Sequence, residues 1–377
     1  MAMQRLFQLM HDQHASDMFF AVQTPVHLKI NGELIPINQQ ALSAENIHAL
    51  LAEIATPAQL AELAGSNELN IGVSAAGLGR FRLSAFRQRG QISAVFRYVP
   101  ASIPGLADLR LPSILGQLIM EKRGLLLMVG ATGSGKSTTI AAMLDQRNAE
   151  RSGHILTLED PIEYLFENRK SIVNQREIGS DASDFATALR NAMRQAPDCI
   201  VIGEIRDRVA MAAALAYAQS GHLVIATLHA SNAYNALHRI LSFYPIENRP
   251  ALLQDLASTL KAIVSQRLLP SAGGGKRTAA VEVMLNTRHI SELIEQGEIV
   301  QIRDAMEQSL SPGSQTFEQA LLKLLQQGLI SQEEALAHAD SATNLLWLLN
   351  NGPDSRTAQA AESAPSAASF SGFELNG

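Results

Sequence analysis

The sequence predicts an α/β protein in which a phosphate-loop domain on a parallel sheet follows a smaller α+β domain. Two observations carry this. The stretch Gly130-Ala131-Thr132-Gly133-Ser134-Gly135-Lys136-Ser137 fits the pattern G-x-x-x-x-G-K-[ST] at every fixed position. Short apolar runs near 125–129, 154–158, 199–203 and 223–227 have helical stretches between most of them, the arrangement expected of strands in a parallel sheet. At 377 residues the chain is long enough for two or three cores.

The elements follow in order. An amphipathic helix is expected near residues 3–14. Alternating strands come next around Val26–Ile35, with Asn31-Gly32 as a hairpin-turn signal. A helical stretch covers about 43–64. Gly79–Phe86 and Ile92–Tyr98 flank the tight turn Arg87-Gln88-Arg89-Gly90, so residues 1–98 read as a mixed α+β domain ending in an antiparallel pair. Pro100, Pro104, Gly105 and Pro112 mark a linker over 99–112. The second domain spans 113–349 and opens with a helix leading to the phosphate loop; helices are expected to dominate from about 247 to 348. The tail 350–377 is rich in Ala and Ser, contains Pro353 and Pro365, and is expected to be disordered.

Composition narrows the function. Hydrophobic residues make up 46% and charged residues 18%, an ordinary globular balance. The net charge of −6 gives no global basic footprint for nucleic acid or anionic lipid. No apolar run reaches the roughly 18 residues that a spanning helix needs, and the N-terminus lacks a secretory pattern. Cys199, the single cysteine, sits in an apolar run, which rules out an intramolecular disulfide and a cysteine-based zinc site. A cytoplasmic chain is expected, touching membrane only through a protein partner.

The phosphate loop sets the chemistry. Its glycines let backbone N–H groups point at phosphate oxygens, and the following helix N-terminus adds favourable partial charge. Gly130, Ala131, Thr132, Gly133, Ser134, Gly135, Lys136, Ser137 and Thr138 form the candidate nucleotide-binding set. In such a loop Lys136 reaches the β- and γ-phosphates, and Ser137 ligates Mg²⁺. Hydrolysis needs more: a carboxylate near the metal, a group that positions water, and positive charge for the transition state. Glu159-Asp160-Pro161-Ile162-Glu163 clusters acids past a strand end, where ligands bind in open α/β sheets; a solvated acidic turn is the alternative. Cys199-Ile200-Val201-Ile202-Gly203-Glu204 is an apolar strand ending in an acid, with Gly203 where many such enzymes place a metal-directed Asp. Gly221–Ser231 brackets a strand between His222 and His229; His222 reads as structural, and His229, at the strand's carboxyl end, is the better candidate for sensing a γ-phosphate. Arg80, Arg82 and Arg97 fall on the closing hairpin, with Arg80 and Arg82 on one face; they are either ordinary exposed arginines or a clamp supplied across a subunit boundary.

Together these segments, in this order, resemble the secretion ATPase superfamily and, within it, the type IV pilus retraction ATPases of the PilT/PilU family. Glu159–Glu163 matches its Asp box, Gly203-Glu204 its form of the Walker B strand, and Gly221–His229 its His box. Ala15-Ser16-Asp17 with Ile30-Asn31-Gly32 looks like the start of its PAS-like N-terminal domain, and Gly79–Arg82 and Ala94–Arg97 match the segments bearing its arginine fingers. The resemblance implies a RecA-like ATPase that uses ATP and Mg²⁺ in a homo-hexameric ring. It further implies Glu163 as general base or water-positioning group, Glu204 as Walker B acid, His229 as γ-phosphate reader, and Arg82 and Arg97 as fingers on a neighbour's site. Partners implied are a PilT-type paralogue and an inner-membrane platform protein, with no nucleic acid and no membrane insertion. PilT proteins usually carry a further acid in the segment that here reads Arg194-Gln195-Ala196-Pro197-Asp198. His289–Glu295 stands where they carry Ala-Ile-Arg-Asn-Leu-Ile-Arg. Together with Asn344–Leu349, these features look more like the PilU branch. The alternatives are a pilus-extension or type II secretion assembly ATPase, whose four-cysteine zinc element one cysteine cannot supply, or a nucleotide-binding accessory subunit of another motor.

Overall fold

The computed structural model describes residues 2–30, 32–99, 102–274 and 277–351. Asn31 of the expected hairpin turn, Pro100 of the linker and residues 352–377 of the expected tail lie outside them.

The N-terminal part contains α1 (Ala2–Asp12), β1 (Asp17–Phe20), β2 (His27–Ile30), β3 (Glu33–Pro36), α2 (Ala44–Ala52), α3 (Pro57–Ser66), β4 (Glu68–Ala75), β5 (Gly79–Gln88) and β6 (Gln91–Val99). Its six strands form an antiparallel sheet in the order β3-β2-β1-β6-β5-β4. The single helical stretch expected over 43–64 is two helices. Thr56 caps the second through a capping box, and Pro57 at its first turn suits a helix start rather than a helix interior. The β5–β6 turn holds Arg89 at φ 51° and Gly90 at φ 77°, both left-handed, which matches the twist of a two-residue hairpin connection. Along β5 the side chains alternate: Phe81, Leu83 and Ala85 are buried, while Arg80 and Arg82 share the other face. Phe7 of α1 stacks on Phe81 at 4.0 Å between ring centroids, tying helix to sheet.

The rest comprises α4 (Ile114–Leu118), β7 (Gly124–Val129), α5 (Lys136–Glu150), β8 (Gly153–Glu159), β9 (Ser171–Glu177), α6 (Phe185–Ala192), β10 (Cys199–Ile202), α7 (Arg208–Gln219), β11 (Leu223–Leu228), α8 (Ala233–Ser242), α9 (Arg249–Thr259), β12 (Leu260–Pro270), β13 (Arg277–Leu285), α10 (Arg288–Gln296), α11 (Ile302–Glu307), α12 (Phe317–Gln326), α13 (Gln332–Ala337) and α14 (Ala342–Asn351). The seven strands run in the order β13-β12-β7-β11-β10-β8-β9, parallel throughout except for the β12–β13 hairpin. Helices cover both faces, so the central strands are continuously apolar. Leu125, Leu127 and Val129 of β7 enter the layer beneath α7 and α9, while Leu126 and Met128 face α4 and α5.

The four strands read from the apolar runs are β7, β8, β10 and β11. Residues 260–270 and 277–285 correct the reading of a helix-dominated C-terminal part: they are antiparallel strands that extend the sheet beside β7. The run Leu260-Lys261-Ala262-Ile263-Val264-Ser265 is β-branched at its centre and buried on both faces, which suits a strand and removes the polar stripe a surface helix would show. Among the described residues, no helix is long and apolar enough to cross a membrane.

Phe81 is fully buried between Phe7 and Tyr98. Phe81→Ala should therefore cost about 3–5 kcal/mol of stability, read as a lower urea midpoint for the N-terminal transition.

Candidate functional site

Gly130, Gly133 and Gly135 adopt φ of 154°, 77° and 88°, where a side chain is strained. Space is also closed at two of them: a Cβ on Gly130 would lie 2.6 Å from the Gln266 carbonyl oxygen, and one on Gly135 would lie 2.7 Å from the Gln266 side-chain nitrogen. The Gln266 amide oxygen also accepts a hydrogen bond from Thr139 Oγ1 at 2.8 Å. Strand β12 thus clasps the phosphate loop and the first turn of α5. Gln266 was missed from sequence; it sits in the polar triplet Ser265-Gln266-Arg267, flanked by apolar residues on both sides, and no motif spacing points to it.

Lys136 opens α5 almost fully buried, and its ammonium donates to the carbonyls of Gly130 at 2.8 Å and Ala131 at 2.9 Å. Burial holds its pKa below the ordinary lysine value, while Glu204 and Glu163 oppose that by favouring the charged form. Thr132, Gly133, Lys136 and Ser137 line a cleft of about 470 Å³, across from Glu159, Asp160, Glu163, Glu204 and His229. Gly130, Ala131, Ser134, Gly135 and Thr138 are not on that lining. They frame it, and Thr138 Oγ1 hydrogen-bonds the Tyr164 hydroxyl at 2.9 Å.

The acids reach the cleft because the parallel strands end in register, with Ile202 paired to Leu158 and to Ala226. Glu204, just beyond β10, is held on two sides. Arg206 Nε donates to Oε2 at 2.7 Å, and His229 Nε2 lies 3.2 Å from Oε1. The bond to Glu204 in turn raises the Arg206 pKa. Gly203 has a steric reason to be glycine: a Cβ there would meet the Leu158 carbonyl oxygen at 2.9 Å. Glu163 sits on an exposed turn after β8, with its carboxylate on the cleft. Glu159 is deeper. Burial raises its pKa, partly offset by hydrogen bonds from Thr157 at 2.6 Å and Gln175 at 3.1 Å. His222 lies at the opposite end of β11, bonded to the Tyr217 carbonyl at 3.1 Å, and takes no part in the cleft.

Arg82 and Arg97 are not brought to the cleft of their own chain. They are direct cross-strand partners on the N-terminal sheet, and the Arg97 side chain is 65% exposed while Nε donates to Asp17 at 2.8 Å.

A phosphate loop, an acidic turn, a glycine–glutamate strand end and a histidine strand end surround one cleft, with paired arginines held away from it. Residues 3–273 match the family model described as type II/IV secretion system protein. The chain belongs to that family of secretion ATPases. It is 44% identical to the type IV pilus ATPase PilU of Pseudomonas aeruginosa over 94% of this chain and 93% of that protein. It is 37% identical to the type IV pilus retraction ATPase PilT of the same organism, over 88% of this chain and 96% of that one. The crystal structure of the pilus retraction motor PilT with bound ADP superimposes with a TM-score of 0.86 at 37% identity, covering 91% of this chain and 98% of that chain. The secretion-ATPase fold and the retraction branch inferred from the motifs are both borne out.

Behind the His box, the loop 231–232 is anchored by Arg267, which donates to the Ser231 carbonyl at 3.0 Å, and by Asn232, which donates to Asp340 at 2.6 Å. Glu282 of β13 accepts the Ala233 N–H at 2.7 Å, at the start of α8. Burial pushes the Glu282 carboxyl up from 4.5 to about 7. The folded chain therefore holds a proton there that the unfolded chain releases. The associated stability is full below about pH 4.5 and is lost as pH rises through about 7. Glu282→Gln, which cannot ionise, should gain on the wild type by up to about 1.4 kcal/mol per pH unit across that window, measured by urea denaturation at a series of pH values.

Proposed function

We propose that this chain hydrolyses MgATP as one subunit of a hexameric ring that powers or assists type IV pilus retraction. The observation that carries the reading is the convergence of the phosphate loop, Glu163, Glu204 and His229 on one cleft whose lining does not include the cross-strand pair Arg82 and Arg97.

The loop amides and Lys136 hold the phosphates, and the cleft's donors, the Ser137 hydroxyl and several carboxylates, are the hard oxygens that Mg²⁺ accepts. Bound with ATP, the metal would supply charge neutralisation on the β- and γ-phosphates. Glu163 takes the proton of the attacking water or orients it. Glu204, held in place by Arg206, fixes His229, whose imidazole reads the γ-phosphate. Arg82 and Arg97 reach the nucleotide of the adjacent subunit, where they compensate transition-state charge. Hydrolysis changes the angle between residues 1–98 and the ATPase domain, and the ring passes that rotation to a platform protein at the cytoplasmic face of the inner membrane.

One observation favours an accessory role beside a PilT-type paralogue. Helix α10 carries His289 and Glu295 on its exposed surface, where the retraction motif of PilT proteins has alanine and arginine. Such a subunit would still turn over ATP.

Lys136→Ala should abolish nucleotide binding and turnover together. Glu204→Gln should keep fluorescent-nucleotide affinity and lower kcat by about 10²–10³-fold; unchanged kcat removes Glu204 from the mechanism. Arg82→Ala or Arg97→Ala subunits should regain activity when mixed with Lys136→Ala subunits, because each supplies what its neighbour lacks. Strictly additive inactivity would place the arginines in their own subunit's chemistry.

A further inference from the structure

Arg80 shares the face of β5 with Arg82, yet it points elsewhere. Its guanidinium leaves the N-terminal sheet and pairs with Glu177 at the end of β9, in the seven-stranded sheet. Both groups are withdrawn from water, with side chains 14% and 4% exposed. The same carboxylate oxygen, Glu177 Oε2, accepts the backbone N–H of Ile162 at 3.0 Å. Ile162 precedes Glu163 directly, and both Ile162 and its amide are buried. Glu177 is itself fixed: its N–H donates to Asp181 at 2.8 Å, and β9 pairs with β8 so that Glu177 lies beside Glu159.

A second feature prepares the path of Arg80. It crosses β4, the edge strand of its sheet, over Gly72, where a Cβ would fall 1.9 Å from the guanidinium nitrogen. Glycine weakens a strand interior and marks close approach by another group. Here the approaching group is the arginine.

We propose that Arg80 and Glu177 form a latch through which the N-terminal domain positions the turn bearing Glu163. One oxygen serves both the arginine and the turn amide, so displacement of the N-terminal sheet withdraws the charge that orients the acceptor at Ile162. A charge-assisted pair screened from water holds geometry more firmly than an exposed one. Arg82, two residues along the same face, belongs to the arm assigned to the neighbouring nucleotide. The latch therefore joins that arm to the base of its own subunit's site. Arg80 and Glu177 are positioning residues; neither lies on the cleft. The inference rests on the assignment of Glu163 as base.

The test uses the full-length protein and three variants, Arg80→Gln, Glu177→Gln and Gly72→Ala. Gly72→Ala leaves both latch residues in place but puts a methyl where the guanidinium lies, and the flexible arginine end can swing away without unfolding the strand. Each variant should lower kcat by about tenfold or more with KM and nucleotide affinity within about twofold, the signature of a misplaced group rather than lost binding. Gly72→Ala combined with Arg80→Gln should be no worse than either alone. Wild-type kcat in all three variants, or losses that multiply in the pair, would overturn the latch. Glu163→Gln separates the two readings. Should it retain turnover, the base assignment fails and the latch with it. Should it be inactive while the three variants run at wild-type kcat, the latch alone is wrong.

Discussion

The register of the parallel sheet is the constraint on which the site depends. β8, β10 and β11 are paired residue for residue, from Cys199 with Ile155 and Leu223 to Ile202 with Leu158 and Ala226, and β7 carries the row on to Val129 beside Leu228. Four strands therefore end along one edge, and each delivers a different chemical group there. Side-chain period in a strand is two, so a slip of a single residue would exchange the side chains of the two packed faces and scatter those groups. The buried rows on both faces of β7 make that slip prohibitive.

Electrostatics then divides the groups. Lys136 lies in a partly desolvated place that opposes its charge, and two carboxylates across the cleft offset part of that opposition. Glu204 has an arginine on one oxygen and a histidine on the other, which fixes the direction of its carboxylate. Strand β12 supports both ends of this arrangement through adjacent residues. Gln266 meets the phosphate loop and Arg267 meets the loop after the His box, on opposite faces because neighbours alternate along a strand.

Much of this could be read from the chain because the informative signals were local. The phosphate loop carries its own flanks, and the runs at 125–129, 154–158, 199–203 and 223–227 are short, apolar and bounded by turn residues. Glu163, Glu204 and His229 follow from their places at strand ends. What escaped was long-range. β9 is an edge strand of mixed polarity, Ser171–Glu177, with little periodic signal, and β12 and β13 lie in a stretch whose flanking helices dominated the pattern. Gln266 and Glu177 act on groups 127 and 15 residues away, and the Arg80–Glu177 pair spans 97 residues. No spacing rule connects such positions; the fold alone does.

Gly203 shows how deeply the site's chemistry is written into its backbone. With the Leu158 carbonyl oxygen 2.9 Å from where a Cβ would lie, any side chain there forces the backbone of β8 or the strand end to shift. An acid at that position is thus disfavoured by the backbone itself, and the carboxylate of this strand end stands one residue on, at Glu204.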